Sequence, residues 1–327
     1  MEDVADRAGV SRSLVSLVMR GSTRVSESSR YKVVQAADEL GYRPNMLARN
    51  LASGRTNTFG LVLDDFQNPY FTEVAEGAAL GAAEAGYEVL VNSGWQRPRG
   101  ETAALDALLA RQVDGLIVVG ARTSLDTLER FATQVAMVSI NGPADAAGFD
   151  SVNNDEKVGA ELIVDHLVDL GHKRIVHIDG GAGSGAPERR SAFTAAMLHH
   201  GLAPLCVDGE FDERAGLDAA ASLLALHEPP TAIFAANDLC AVGVLGELAR
   251  RGVKVPDDIS VVGYDDTALA ALGTVSLTTV DQPRRHHGAM AAELLLERVN
   301  GRSEAVHRFA EPRLVVRSTT GRCPTSR

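Results

Sequence analysis

The stretch AGVSRSLVSLVMRG, residues 8–21, holds a tight turn followed by a short amphipathic segment. Ser11 is a good N-cap, because its side-chain oxygen can accept a hydrogen bond from the first helical turn. Val15, Val18 and Met19 recur at helical spacing, so they predict a helix through Met19 that packs along this stripe. The opposite face of that helix carries Arg12, Ser13, Ser16, Leu17 and Arg20.

Two further short helices are predicted on either side of this segment. Residues 2–8 form a helical pattern that Gly9 ends, and Ser26 is placed to cap a helix that runs to Leu40. Two helices joined by a tight turn are typical of the helix-turn-helix motif, which lays its second helix in the major groove of DNA. The first residues of the predicted second helix would then meet the base edges.

Charge is divided unevenly along the chain, whose formal net charge is −11. Residues 1–56 contain nine Lys or Arg and six acidic residues, a balance of +3, which leaves −14 for the remainder. Phosphates repel an acidic surface, so only the first 56 residues are suited to approach a nucleic acid. The asymmetry predicts a small basic module joined to an acidic body.

Composition indicates a globular chain of more than one domain, since 327 residues exceed what one core usually fills. There is no run of 18 apolar residues and no basic-then-apolar start, so we expect a cytoplasmic protein without a membrane partner. Cys206, Cys240 and Cys323 lie far apart and form no CxxC pair. They predict neither a disulfide framework nor a metal site.

From residue 59 onward the chain alternates β-rich and helical segments. Strands are predicted at 59–64, 87–92, 114–120, 135–140, 174–179, 231–236, 259–264 and 276–281. Helices are predicted at 70–85, 101–111, 156–170, 213–226 and 238–251. The alternation predicts an α/β fold with parallel sheets covered on both faces, and a break near 141–148 suggests two successive lobes. Ligands of such folds bind at the carboxyl ends of the strands, here in a cleft between the lobes.

The motifs together resemble the lactose-repressor (LacI/GalR) family of bacterial regulators. The resemblance begins with DVADRAGVS (3–11), VSESSRYKVVQAADELGYRPN (25–45) and LARNLASG (47–54). It continues through NPYF (68–71), HLVDLGHKRI (166–175), residues 235–266, LTTVDQP (277–283) and RLVVRST (313–319). It implies a homodimeric transcription factor, a repressor, whose core has the type I periplasmic-binding-protein architecture with an effector between two lobes.

The resemblance also implies a division of the chain. Residues 1–42 would be an all-α helix-turn-helix head, and residues 43–57 a hinge helix and linker. The core N-lobe would comprise 58–153 with about 283–311. The C-lobe, with the effector cleft, would comprise 154–282 with about 312–322. Because the chain ends in GRCPTSR without a leucine heptad, a dimer is expected rather than a tetramer.

DNA contacts are implied where the sequence matches the family's motif. The set is Ser11, Arg12, Ser13, Ser16, Leu17, Ser29, Arg30, Asn45, Ala48, Arg49 and Leu51. Arg12 and Ser13 match the specificity positions, and an Arg there can donate two hydrogen bonds to guanine. Leu51 matches the leucine that the hinge inserts into the minor groove of the operator. The alternatives are solvated surface side chains in the head and an amphipathic linker helix in place of the hinge.

The second helix departs from the family pattern at two positions. Leu14 stands where a threonine is usual, and Leu17 where an arginine is usual. Two exposed leucines could pack on thymine methyl groups, fit a different tilt of the helix, or weaken binding. We favour the first interpretation, which predicts A·T pairs opposite Leu17. The first helix is preceded by no capping Ser or Thr, so either the true start of the protein lies upstream or this head is less stable than in relatives.

Effector contacts are implied at seven positions: Tyr70, Phe71, Asp155, Arg189, Phe211, Asn237 and Asp265. Aromatic faces stack on a sugar ring or a nucleobase, while Asp, Asn and Arg fix hydroxyls or an anionic group, so a sugar or related metabolite is expected. Asn237 could instead only cap the following helix, and Phe211 could belong to the core. Trp95 could line the pocket or pack beside it.

An enzyme is the weaker alternative. In RIVHIDGGAGSGAPE (174–188), Gly181-x-Gly183-x-x-Ala186 follows a strand, as in dinucleotide-binding folds. Pro187 then falls where the helix would hold a pyrophosphate, and no acidic residue follows at the required distance. His286 and His287 have no partner at metal-ligand spacing. We therefore expect no cofactor and no catalysis. A small-molecule-binding protein without DNA contact remains the other alternative.

Overall fold

The computed structural model describes residues 1–19, 22–42, 54–94, 100–144 and 146–324. Contacts divide the chain into two compact units, Met1–Thr56 and Asn57–Arg327. We call them the head and the body. The predicted hinge residues Asn45, Ala48, Arg49 and Leu51 lie outside the described residues, as does Trp95.

The described head consists of α1 (Glu2–Ala8), α2 (Arg12–Met19) and α3 (Glu27–Glu39). Gly9 ends α1 in the left-handed conformation, at φ 66°. The Ser11 hydroxyl accepts a hydrogen bond from the Leu14 N–H at 3.2 Å, and the Ser26 hydroxyl accepts from the Ser29 N–H at 3.3 Å. The predicted caps of α2 and α3 are therefore confirmed. Met1 occupies the N-cap position of α1 and makes no side-chain hydrogen bond to it.

Burial in the head follows the predicted stripe on α2, with one correction. Val15 and Val18 are buried, and Met19 packs against them. The prediction that Leu14 is exposed is wrong, because this side chain is half-buried against the same core. Leu14 and Val18 are four residues apart and so lie on the same helical face. Leu17 is the exposed leucine, at 37%.

Six parallel strands form the first sheet in the described part of the body, in the order β11-β5-β4-β3-β1-β2. They are β1 (Thr58–Leu63), β2 (Glu88–Ser93), β3 (Gly115–Val119), β4 (Ala136–Ile140), β5 (Asp150–Asn154) and β11 (His307–Ala310). One face packs against α4 (Pro69–Glu84) and α11 (Arg284–Val299), and the other against α5 (Gly100–Leu109) and α6 (Leu125–Ala132). We call this half the first lobe.

Four parallel strands form the second sheet, in the order β7-β6-β8-β9, again counting described residues only. They are β6 (Ile175–Ile178), β7 (Leu205–Val207), β8 (Ala232–Phe234) and β9 (Ser260–Val262). Its helices are α7 (Glu156–Asp169) and α8 (Ala186–His199) on one face and α9 (Glu213–Leu224) and α10 (Asp238–Arg250) on the other. We call this half the second lobe. The predicted α/β fold with parallel sheets covered on both faces is confirmed.

The chain crosses between the lobes more than once. After β10 (Thr279–Asp281) it returns through α11 to β11 in the first sheet, and then to β12 (Arg313–Val315), which pairs antiparallel with β10. The close packing of α11 on α4 needs glycine, since a Cβ at Gly77 would lie 2.0 Å from the Arg285 carbonyl oxygen. The exact limits of the two lobes stay a prediction.

Several elements were not predicted from the sequence, namely β5, β7, β11, β12 and α6. Strand β5, DSVNN, is buried along its whole length although four of its five side chains are polar. Polar residues give no apolar strand pattern, so only the neighbouring strands reveal β5.

None of the helices described is long and apolar enough to cross a membrane.

Candidate functional site

The exposed face of α2 carries the residues predicted to read DNA. Arg12, Ser13 and Leu17 are exposed, whereas Ser16 is half-buried. The Arg12 guanidinium lies 3.3 Å from the Glu2 carboxylate, and both side chains are largely in solvent. An exposed ion pair of this kind contributes at most about 1 kcal/mol, so Arg12 can leave it for a base or phosphate.

The other predicted head contacts have partners within the head. Ser11 acts as the cap of α2, and the Ser29 hydroxyl accepts a hydrogen bond from the Ser26 hydroxyl at 2.9 Å. Arg30 donates to the Ser22 carbonyl at 2.5 Å. The Arg30 bond holds the start of α3 beside the turn that follows α2, and the serine bonds fix the starts of α2 and α3, where a phosphate could approach the backbone.

A cleft in the body lies between the carboxyl ends of strands from both sheets. Its described lining is Asp64, Asp65, Asn68, Tyr70, Phe71, Gly120, Arg122, Asn141, Gly183, Ser184, Arg189, Glu210, Phe211, Asp212, Asn237, Asp265 and Gln282. Six of the seven predicted effector residues are in this set. Asp155 is not: it caps α7, accepting from the Val158 N–H at 3.1 Å, and lines a neighbouring depression.

Three aromatic rings shape the cleft. Tyr70 and Phe71 stand nearly perpendicular with centroids 5.3 Å apart, and the Tyr70 hydroxyl accepts from the Asn141 amide at 2.9 Å. Phe211 enters from the second lobe and rests on glycines: a Cβ at Gly180 or Gly183 would lie 2.3 or 2.4 Å from its ring. The glycine-rich segment therefore makes room for an aromatic ring, which explains its composition without a pyrophosphate.

Arg189 is buried on the second-lobe side of the cleft. Its Nε and Nη2 donate to the two carboxylate oxygens of Glu156 at 2.8 and 3.1 Å, and its Nη1 donates to the Ala236 carbonyl. The guanidinium carbon lies 3.6 Å from the centre of the Tyr264 ring. Burial opposes the charge of Arg189, but the Glu156 carboxylate outweighs it and raises the pKa of this guanidinium. Glu156 and Tyr264 were not predicted as site residues.

A pair of buried carboxyl groups lies at the end of β9. Asp265 has a left-handed backbone, φ 115°, and accepts a hydrogen bond from the Gln282 amide at 2.6 Å. Asp238, behind it, accepts from the Thr267 N–H at 2.7 Å and the Thr279 hydroxyl at 2.6 Å. Burial raises the pKa of Asp238 to about 6. Burial and the neighbouring Asp238 raise the pKa of Asp265 well above its ordinary value.

Asn237 caps a helix, as the alternative interpretation proposed, and it also lines the cleft. Its Oδ1 accepts from the Cys240 N–H at 2.9 Å, which caps α10, and its Nδ2 donates to the Phe211 carbonyl at 3.3 Å. The residue thus fixes a helix and orients the aromatic loop while lining the cleft.

The prediction missed several lining residues of the first lobe, including Asp64, Arg122, Asn141 and the cross-over residue Gln282. Arg122 donates from Nε to Asp64 at 2.8 Å. Asp64 follows β1 directly and Asn141 follows β4, so polar residues at strand ends were the available signal. Among described residues, no group of three His, Cys, Asp or Glu side chains is arranged to hold a metal ion.

Comparison with known proteins matches both units. Residues 1–45 match the model for bacterial regulatory proteins of the lacI family, and residues 164–320 match a periplasmic binding protein-like domain. The chain is 33% identical to the HTH-type transcriptional repressor PurR of Photobacterium profundum, over 98% of each chain.

Two solved structures extend the comparison. The Lac repressor dimer bound to operator and the anti-inducer ONPF is 28% identical, covers 98% of each chain and has a TM-score of 0.87. The complex of the transcriptional regulator CelR with cellobiose is 30% identical, covers 97% of this chain and 98% of the other, and has a TM-score of 0.75. The chain therefore belongs to the lacI family of bacterial regulatory proteins, and it is a DNA-binding transcriptional regulator with an effector-binding body rather than an enzyme.

Proposed function

We propose that this protein is a repressor that binds a palindromic operator as a homodimer, and that a sugar bound in the cleft changes its operator affinity. The observation that carries the proposal is the make-up of the cleft. Tyr70, Phe71 and Phe211 offer ring faces, and carboxyl and amide groups at the strand ends lie among them. The likeness to a repressor dimer on its operator and to a cellobiose complex supports it.

A sugar suits this lining for a chemical reason. The apolar C–H faces of a sugar ring pack on aromatic rings, while its hydroxyls need both donors and acceptors. Asp265 can accept and Asn141 can donate, and Gln282 and Asn237 can do either. Such a site buries the ligand among apolar rings and orients it with a few polar groups.

The cleft can act as a switch because its lining comes from both lobes. A ligand that touches Phe71 in the first lobe and Phe211 in the second favours whichever arrangement of lobes allows both contacts. In a homodimer that binds two half-sites, a change in the relative orientation of the lobes alters the spacing of the two heads and therefore the operator affinity.

The test of the effector is a thermal-shift screen of sugars and nucleosides, because a bound ligand raises the unfolding temperature. A sugar hit whose shift is lost in Asp265→Asn and in Phe211→Ala supports the proposal. Glu188→Gln is the matched control, since Glu188 is exposed and lines the neighbouring depression instead. Hits that persist unchanged in both cleft variants would place the effector elsewhere.

The test of the DNA function is a gel shift on the gene's own upstream region, with and without the sugar hit. A dimer on a palindrome gives one retarded species whose formation depends on both half-sites. Light scattering of the free protein measures the dimer. A protein that binds the sugar but retards no upstream DNA would be a small-molecule-binding protein only.

A further inference from the structure

We infer that the cleft accepts electrically neutral effectors and excludes phosphorylated or carboxylated ones, and that Glu156 sets this selectivity. The inference rests on the proposed function, because it specifies the ligand class of the same cleft. Arginines in a ligand site ordinarily favour anions through charge-assisted hydrogen bonds. Here the arginines are already neutralised by carboxylates of the protein.

The pairing of Arg189 with Glu156 is the central observation. The two side chains are 4% and 11% exposed, and they meet through two parallel hydrogen bonds. The third donor, Nη1, is bound to the Ala236 carbonyl. All three guanidinium nitrogens therefore have acceptors within the protein.

The remaining charges of the cleft point the same way. Arg122 lies against Asp64, at 2.8 Å. Asp65, Glu210 and Asp212 add further carboxylates to the lining, and the lining contains no other described Lys or Arg. The cleft thus has more acidic than basic groups, and an incoming phosphate or carboxylate meets like charge.

An anion could use the charge of Arg189 only by displacing Glu156, because the two N–H groups of Arg189 without a bond to Glu156 or Ala236 belong to a guanidinium that Glu156 already neutralises. That would leave the Glu156 carboxylate in a nearly buried position without its partner, which is strongly unfavourable. A hydroxyl can instead donate to the carboxylate or approach the edge of the pair without separating it. The same ion pair that keeps Arg189 in place therefore excludes anionic ligands.

The first experiment uses inorganic phosphate as the probe and needs no knowledge of the effector. Thermal unfolding of the full chain is measured with increasing phosphate at constant ionic strength, for the wild type, Glu156→Gln and Glu188→Gln. Gln keeps the shape of Glu156 but leaves Arg189 without a counter-charge. We expect phosphate to raise the unfolding temperature of Glu156→Gln by about 3 °C beyond the wild type at ten times the dissociation constant.

Glu188→Gln changes the charge equally nearby without touching Arg189, so it should respond to phosphate as the wild type does. Equal phosphate shifts in all three proteins would overturn the inference. If Glu156→Gln does not fold, the wild type decides by itself: saturable stabilisation by millimolar phosphate would contradict the inference, and its absence would support it.

The second experiment compares matched ligands on the wild type: ribose with ribose 5-phosphate, glucose with glucose 6-phosphate, and adenosine with AMP. No phosphorylated member should bind more tightly than its neutral partner, and for a pair that binds we expect a preference of at least about tenfold for the neutral one. A tighter phosphorylated member would overturn the inference. If no sugar binds but phosphate stabilises only Glu156→Gln, the sugar proposal fails while the charge selectivity stands.

Discussion

Leu14 and Leu17 lie one helical turn apart on α2, yet they have different surroundings. Leu14 is half-buried against the head core, and Leu17 is exposed on the face that carries Arg12 and Ser13. Only Leu17 can meet a thymine methyl group without disturbing the head. We therefore propose that the departure from the family pattern at position 14 serves packing and that the one at position 17 serves DNA recognition.

Substituting each leucine by alanine should separate these roles. Leu14→Ala should lower the free energy of opening of the head by about 1–2 kcal/mol, measured by hydrogen exchange of head amides in the full chain. Leu17→Ala should change it by less than about 0.5 kcal/mol. Binding-site selection should yield A·T pairs opposite Leu17, and Leu17→Ala should relax that preference. Selection of G·C pairs there by the wild type would contradict the assignment.

His287, at the start of α11, is a buried residue whose charge state affects stability. It is fully buried, and among the described residues neither ring nitrogen has a hydrogen-bond partner. Burial lowers the pKa of His287 to about 4. Between pH 6.5, its ordinary pKa, and pH 4, His287 is protonated in the unfolded chain but not in the folded one. Stability is therefore lost as the pH falls from 6.5 towards 4.

His287→Leu should remove this pH dependence. The unfolding free energy of the variant relative to the wild type should rise by about 2 kcal/mol between pH 7 and pH 5, measured by urea unfolding at both values. His286→Leu is the control, because the neighbouring His286 is exposed. A stability difference between His287→Leu and the wild type that is the same at both pH values would show that folding does not lower the pKa of His287.

At the scale of elements, glycines decide where the loops of the cleft can lie. The sequence of segment 180–185 was open to interpretation as a phosphate-binding loop. In the structure, Gly180 and Gly183 instead contact the ring of Phe211, which leaves no room for a Cβ at either position. The predicted strands and helices of the body were located within a few residues, because their apolar periodicity is strong. Strands β5, β7 and β11 were missed, since short or polar strands depend on their neighbours for pairing.

Two glycine substitutions should have opposite effects. Gly183→Ala places a Cβ 2.4 Å from the Phe211 ring, so it should cost about 1–3 kcal/mol and weaken binding of the sugar hit at least about tenfold. Gly246→Ala meets nothing within 4 Å on the exposed side of α10 and should stabilise the body by up to about 1 kcal/mol. Urea unfolding measures both. An unaltered sugar affinity in Gly183→Ala would mean that Phe211 does not contact the effector.

At the scale of the whole molecule, the proposed repressor couples two sites in different units. DNA phosphates attract the basic head and repel the acidic body, so the head is the unit suited to bind DNA and the body the unit suited to bind the effector. The coupling must be reciprocal: whatever factor the sugar imposes on operator affinity, the operator imposes on sugar affinity.

This reciprocity can be measured. Sugar affinity should differ between the free protein and its complex with an operator duplex by a factor of about 5–150, and operator affinity should change by the same factor with saturating sugar. Calorimetry gives the first and fluorescence anisotropy the second. The same two affinity measurements on Arg12→Ala should show weaker operator binding but an unchanged coupling factor, because Arg12 is not part of the cleft. Unequal factors in the wild type would mean that a third equilibrium, such as dimer dissociation, takes part.

The sequence by itself determined the two-unit organisation, the helix-turn-helix head with its caps, the parallel α/β body and six residues of the cleft. The organisation, the head and the body depend on charge, local periodicity and capping residues, which are properties of short segments. The six cleft residues came from the resemblance of their motifs to the lacI family. Only the tertiary structure decided which leucine of α2 is free, that Asp155 caps a helix beside the cleft, and that Glu156 neutralises Arg189. Those outcomes depend on contacts between residues distant in the chain, such as the 33 positions that separate Glu156 from Arg189. The fold brings them together, and their burial gives the ion pair its effect.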